Sequence, residues 1–163
     1  MLRAGEDAVK SGSLNDLLKA RREAEQSMPF VGTYHLEFAR LLATYLGRPH
    51  ASLEITARRH IAEEGIASAS WALQRTDRPM LALQDMILLA DMSGDSRFEG
   101  WIQDLRKMDP YWYRPHEMAA RLMLRQRKYA DALREATIAR ELSPYTQSTI
   151  DVWKQLLSIR ASQ

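Results

Sequence analysis

The chain has no cysteine among its 163 residues, which excludes disulfide bonds, thiolate nucleophiles and zinc bound by cysteine. It has no long apolar run either. The best candidate, Met80 to Met92, is broken by Gln84, Asp85 and Asp91 and falls short of the ~20 apolar residues that cross a bilayer. No sign of charge dominates, since 23 basic and 21 acidic residues are interleaved. We therefore expect no direct membrane insertion and no nucleic-acid binding, which usually needs a basic stripe.

Signals for β-strands are also missing. The chain has no alternating run of β-branched residues and no Asn-Gly or Asp-Gly hairpin turn. Apolar residues recur instead at steps of three and four, which predicts an all-α protein. Ser13 is expected to cap the second helix, Pro79 to stand at a helix start, and the segment Ser93-Gly94-Asp95 to form a turn.

The longest predicted helix runs from Ser52 to Gln74. Its expected apolar stripe includes Ile55, Ala62 and Ile66. Gly65 stands in its middle, where a kink or break is expected because glycine costs about 1 kcal/mol in a helix interior relative to alanine.

The clearest segment extends from Tyr113 to Pro144 and reads as two helices separated by a polar break at Arg125-Gln126-Arg127-Lys128. Pro110 and Pro144 bracket this segment, and each of these prolines directly follows an acidic or hydroxyl residue at a helix end. Their separation is the length of one helical-hairpin repeat, about 34 residues. The prolines expected to follow a helix end are unevenly spaced, with a first interval longer than the two that follow. They are Pro29, Pro79 (which also begins the next helix), Pro110 and Pro144.

On these residues the chain resembles the tetratricopeptide repeat (TPR) family, which is built from helical hairpins of about 34 residues. The family has small residues where its paired helices cross, as Ala120, Ala132 and Ala139 would be here. It has an aromatic residue at the start of the second helix, as Tyr129 would be, and a proline at the end of the unit, as Pro144 is.

Two positions depart from the family's pattern. His116 stands where the family usually has a large aromatic residue, and Leu89 replaces a small residue at a helix crossing. The resemblance implies an all-α, TPR-like α-solenoid of antiparallel helical hairpins, with about eight or nine helices and an irregular, enlarged second unit. We expect a single domain over residues 1–163. Because the first unit would begin before Met1, we also expect the chain to be a fragment of a longer protein.

The sequence contains no set of residues that indicates catalysis. Neither a His-Glu-x-x-His motif, a Gly-x-Ser-x-Gly motif nor a phosphate-binding loop occurs. The histidines, at positions 35, 50, 60 and 116, are not spaced as zinc ligands, and His35 and His116 are expected to pack within their units. We therefore expect no enzyme activity, no metal and no cofactor.

The resemblance implies a protein–protein interaction scaffold that binds a partner segment in a concave groove. Arginine suits acidic groups on a protein or peptide, because it pairs with them in a bidentate manner. The simpler alternative is that the arginines of the last hairpin only pair with Glu117 and solvent. An exposed aromatic cluster is also expected at Tyr111-Trp112-Tyr113. The candidate partner-binding residues are Trp112 from this cluster and the positions that the resemblance implies to face the groove, which are Arg40, Met86, Arg114, Glu117, Arg121 and Arg125.

A second hypothesis also comes from the resemblance. Bacterial enzymes similar to O-antigen ligases often carry such repeats outside the membrane. The chain would then be a soluble accessory domain of a membrane-bound bacterial glycan ligase or polymerase, with catalysis elsewhere in the parent protein.

Overall fold

The computed structural model describes residues 2–27, 31–47 and 53–161. Over these residues the chain forms nine α-helices and no β-strand, which confirms the all-α prediction. The predicted helix end at Pro29, the histidine at 50 and the predicted helix start at Ser52 lie outside the described residues. The helices are α1 (Leu2–Ser11), α2 (Leu14–Ser27), α3 (Gly32–Gly47), α4 (Ile55–Leu73), α5 (Pro79–Ser93), α6 (Phe98–Met108), α7 (Tyr113–Arg125), α8 (Tyr129–Leu142) and α9 (Gln147–Ala161).

Local capping chemistry sets several of these boundaries. The backbone N–H of Asp16 donates to Oγ of Ser13 at 3.3 Å, so Ser13 caps α2 as predicted. Pro79 is the first residue of α5, a position where the missing N–H of proline costs nothing. Gly94 follows α5 in the left-handed conformation, with φ 75°, and its N–H donates to the carbonyl of Ala90 at 2.8 Å.

Helix α4 continues without a break through Gly65, where the sequence predicts a kink or break. The exposure of its first residue, Ile55, also differs from the prediction. Ile55 is 86% exposed, so its predicted place in the apolar stripe is wrong. Nη2 of Arg58 donates to the carbonyl of Leu46 at 3.1 Å, close to the end of α3. Ile55 lies nearly one turn before Arg58 in α4. We infer that Ile55 therefore extends beyond the end of α3, where this helix no longer covers α4.

The chain divides into two compact units, residues 1–98 and 99–163. In the first unit, α1 packs against α2, α3 against α4, and α4 against α5, while α3 also contacts α1 and α5. The single domain expected over residues 1–163 stays a prediction. Large side chains that are fully buried in this unit include Leu17, Leu36, Leu42, Leu46, Leu83, Ile87 and Leu89.

Helices α4 and α5 approach closely because a glycine faces a leucine. A Cβ atom on Gly65 would lie 2.7 Å from Cδ1 of Leu89, which is fully buried. Further along the same pair, Ala72 and Ala82 belong to one buried cluster with Leu36. The large residue predicted at a helix crossing, Leu89, is therefore accommodated by the missing side chain of Gly65 on the facing helix.

In the second unit, α7 packs against α8, and α9 packs against both of them. The alanines predicted at the helix crossing, Ala120, Ala132 and Ala139, are all buried. Small side chains let two helix backbones come close, which explains their use here. The core of the unit also contains Val152 and Leu156 from α9.

A constant interval recurs in the positions of the helices. Helices α5, α7 and α9 begin at equally spaced residues, which are Pro79, Tyr113 and Gln147. The loops before α7 and α9 both contain the pair Pro-Tyr, at positions 110–111 and 144–145. The spacing between Pro110 and Pro144 thus recurs between the starts of these helices.

Candidate partner-binding site

Helix α7 presents arginines to solvent. Within its 13 residues, the exposed positions are Arg114, Arg121 and Arg125. These positions are seven and four residues apart, close to whole numbers of helical turns, so they share one face. Buried residues, including Met118 and Leu122, make up the face that packs inside the unit.

Glu117 lies between the first two of these arginines and is only 4% exposed. Nε of Arg121 donates to Oε1 of Glu117 at 3.0 Å, and Nη1 of Arg114 donates to Oε2 at 3.4 Å. Oγ of Ser148, on α9, also donates to Oε2 at 2.9 Å. A buried carboxylate is costly unless it is paired, so Glu117 favours the positions in which both arginines bind it. Its bond with Ser148 also connects α7 to α9.

Pairing with Glu117 leaves much of both arginines accessible. The side chains of Arg114 and Arg121 are 45% and 47% exposed. Each guanidinium carries five N–H donors, more than one carboxylate oxygen can accept. We call Arg114, Glu117, Arg121 and Arg125 the α7 arginine face. Three arginines and one glutamate give this face a surplus of positive charge.

A second buried carboxylate, Glu135 of α8, connects three helices of this unit. Nη2 of Arg106 on α6 donates to Oε2 of Glu135 at 2.5 Å, and Nδ1 of His116 on α7 lies 2.8 Å from the same oxygen. Burial opposes ionisation of Glu135, but the hydrogen bond from His116 and the charge of Arg106 outweigh it and lower the pKa of Glu135. His116 therefore packs within an ion-pair network.

The first unit contains a carboxyl group of the opposite character. Asp85 on α5 is 6% exposed, and its Oδ2 atom accepts no hydrogen bond from the described residues. Nε of Arg40 on α3 lies 3.8 Å from Oδ2, while Nη1 of Arg40 donates to Oε1 of Glu37 at 3.4 Å. Burial raises the pKa of Asp85 to about 7, although the charge of Arg40 works in the other direction.

The other predicted site residues lie in different surroundings. Met86 is 2% exposed and packs in the core of the first unit, so it offers no surface to a partner in this structure. Trp112 is partly buried and directly precedes α7. Its neighbour Tyr111 is 84% exposed, which confirms that at least one residue of the aromatic cluster faces solvent.

Sequence reasoning missed Tyr145, which is 95% exposed. A signal was present, since Tyr145 follows Pro144 as Tyr111 follows Pro110, one repeat earlier in the chain. It also missed the contact of Ser148 with Glu117, for which the sequence carries no signal because the two residues are 31 positions apart.

Other features of the described residues carry less chemistry. No three His, Asp or Glu side chains among them gather as metal ligands. In the same part of the chain, every helix is too short or too polar to cross a bilayer. A pocket of about 320 Å³ is lined by Leu18, Arg21, Arg22 and Glu64, and in it Nη1 of Arg21 donates to Oε2 of Glu64 at 3.1 Å.

In comparisons with known proteins, the chain matches no family model and no curated protein sequence.

Proposed function

We propose that the chain is a non-catalytic interaction module with a TPR-like helical-repeat arrangement, and that the α7 arginine face binds an acidic segment of a partner protein. The observation that carries the proposal is that the three exposed positions of α7 are all arginines, two of them anchored on a buried carboxylate.

Three features support the helical-repeat part of the proposal. Helices α5, α7 and α9 begin at equal intervals along the chain. The crossing of α7 and α8 is lined by buried alanines. Within each unit, alternate helices contact each other, α3 with α5 and α7 with α9, as the first helices of neighbouring hairpins do in a stack.

Because Glu117 holds Arg114 and Arg121, a role in binding a ligand is favoured over a role in only keeping the surface soluble. A free arginine loses rotamer entropy when it binds a ligand, whereas a side chain already held by Glu117 loses less. The remaining donors of each guanidinium match the two oxygens of a carboxylate. A segment rich in Glu or Asp is therefore the partner chemistry that fits this face best.

The experiment uses the full chain and a synthetic peptide with blocked termini, six glutamates and a neutral dye. We expect binding that weakens as salt is raised, since exposed charges are screened. Replacing Arg121 and Arg125 with Gln should weaken binding about tenfold, taking roughly 0.7 kcal/mol for each exposed pair. Fluorescence anisotropy measures this change.

A matched control removes two positive charges elsewhere in the same unit. Lys107→Gln with Arg134→Gln changes the net charge equally, and both residues are exposed and paired with an acidic neighbour on their own helix. The control should bind the peptide within about twofold of the unmodified chain. If both double variants lose affinity equally, binding reflects net charge alone and the α7 arginine face is not the site. Equal binding of a glutamine analogue of the peptide would also contradict the proposal.

The α7 arginine face is also compatible with the second hypothesis, that of an accessory domain. As an accessory domain of a membrane-bound glycan ligase or polymerase, the module would bind a partner or another part of the parent protein through this face. The peptide experiment tests the face in either setting.

A further inference from the structure

The first unit contains a charged cluster that the proposed site does not use. We propose that Arg40 is a second contact point for an acidic group of a partner, and that a proton on Asp85 controls its availability. This inference rests on the proposed function in one respect only, the acidic character of the partner.

Arg40 has two competing acceptors within the protein. Glu37, one turn earlier on α3, accepts from Nη1 at 3.4 Å, and Oδ2 of Asp85 on α5 lies 3.8 Å from Nε. Both distances are longer than those of a close ion pair, so Arg40 keeps hydrogen-bond donors for another acceptor. The Arg40 side chain is 38% exposed, so it can reach a ligand at the surface of α3.

Asp85 decides how strongly Arg40 is held. Its side chain is 8% exposed, and its Oδ2 atom accepts no hydrogen bond within the described structure. When Asp85 is ionised, Arg40 is the cation that offsets the buried charge and is held toward α5. When Asp85 is protonated, that attraction disappears and the guanidinium is released to a carboxylate from outside.

The charges that act on Asp85 come from α3. Burial raises the pKa of Asp85 to about 7, the charge of Arg40 lowers it and the charge of Glu37 raises it. Asp85 therefore changes its charge near neutral pH, unlike an ordinary aspartate.

Helix α4 also packs against α5. Gly65 faces Leu89, and Ala72 and Ala82 belong to one buried cluster, so we infer that the two helices run antiparallel with Ala69 in register with Asp85. The neighbouring Ser68 is bonded to His35, a second titratable group on α3 that faces α4. His35 must therefore be controlled for in any test of pH dependence.

Binding of an acidic ligand at Arg40 should be coupled to proton uptake by Asp85. If only the protonated form is competent, the competent fraction falls from about nine tenths at pH 6 to about one tenth at pH 8, and the dissociation constant at this site rises about tenfold. The exposed glutamates of a peptide stay ionised across this range, so they do not contribute to the change.

The test is a titration of the full chain with the blocked hexaglutamate peptide at several pH values between about 5.5 and 8.5. Nuclear magnetic resonance of the arginine Nε–Hε groups reports Arg40 separately from the arginines of α7. We expect the Arg40 signal to respond with an affinity that weakens about tenfold from pH 6 to pH 8. Calorimetry at pH 7.5 in buffers of different ionisation enthalpy should show uptake of most of one proton.

Variants separate the roles of the residues. Asp85→Asn, a neutral side chain of the same shape, should bind at Arg40 equally well at all these pH values. Arg40→Gln should lose this site while the α7 arginines still respond. His35→Gln should keep the pH dependence of the unmodified chain. Circular dichroism establishes that each variant is folded, and the proton-uptake measurement on the unmodified chain needs no variant.

The outcomes distinguish this inference from the proposed function. A response of the α7 arginines without a response of Arg40 at pH 6 overturns the inference alone. Persistent pH dependence in Asp85→Asn, or binding at Arg40 without proton uptake, also overturns it. A response of Arg40 without the α7 arginines overturns the proposed site on α7, and no response at either place overturns both.

Discussion

Replacing Asp85 with Asn is expected to stabilise the first unit at neutral and alkaline pH. Asp85 is buried, and its pKa is raised from 3.8 to about 7 chiefly because burial disfavours the charged form. An acid with a raised pKa contributes stability that is fully present below its unfolded pKa and is lost as pH rises through its folded pKa. The stability that protonated Asp85 contributes is therefore lost between about pH 4 and pH 7.

The size of the effect follows from the shift. One pKa unit corresponds to about 1.4 kcal/mol, so the ionised Asp85 costs on the order of 4 kcal/mol at pH 8. More than half of this cost should develop between pH 5 and pH 8. Asparagine keeps the shape and stays neutral, so Asp85→Asn should gain up to these amounts over the unmodified chain.

Urea unfolding followed by residue-resolved nuclear magnetic resonance measures the first unit separately from the second. The control is Asp77→Asn, which removes the same charge at a side chain that is 85% exposed in the same unit. The control should change the free energy of unfolding by less than about 0.5 kcal/mol. A burial cost of ionised Asp85 is excluded if Asp85→Asn destabilises the unit at pH 8, or if the variant keeps the pH dependence between pH 5 and pH 8.

Two further predictions concern packing and acid stability. Gly65→Ala should destabilise the first unit by about 1–2 kcal/mol, because its Cβ would lie 2.7 Å from buried Leu89, whereas Gly100→Ala, which meets no atom within 4 Å, should be neutral or stabilising. Urea unfolding measures both, and equal effects would contradict the close packing. Glu135→Gln should destabilise the second unit at pH 7 by about 3 kcal/mol, because it leaves the largely buried side chain of Arg106, which is 21% exposed, without its anion. Since the pKa of Glu135 is lowered, its stabilisation is present above about pH 4.5 and is lost in acid, so the variant should lose less stability below pH 4.5 than the unmodified chain.

Much of the helical architecture was predictable because its signals are local. Ser13 and Gly94 act on backbone groups within a few residues, and Pro79 fits a helix start by its own geometry. The alanines of the last hairpin were predictable from their spacing, since a helix crossing needs small residues at regular positions. Ile55 shows where spacing fails, because periodicity does not tell where the covering helix ends.

The charged sites depend on contacts between distant positions and were predictable only in part. The sequence predicts the arginines of α7 as a group, but their anchor, Glu117, is also bonded to Ser148 from another helix. Asp85 reads in the sequence merely as an interruption of an apolar run, whereas in the fold it is a buried acid opposite Arg40. Its raised pKa arises from burial between helices, a property that no short motif encodes.

Recognition of an acidic segment by the α7 arginine face can be observed in the arginine Nε–Hε resonances of the full chain while an acidic peptide is added. We expect that the signals of Arg114, Arg121 and Arg125 shift together, that they saturate at one peptide concentration, and that added salt reverses the shift. Shifts confined to arginines outside α7, or no saturable shift of the α7 arginines at low salt, would contradict the claim that this face recognises an acidic partner.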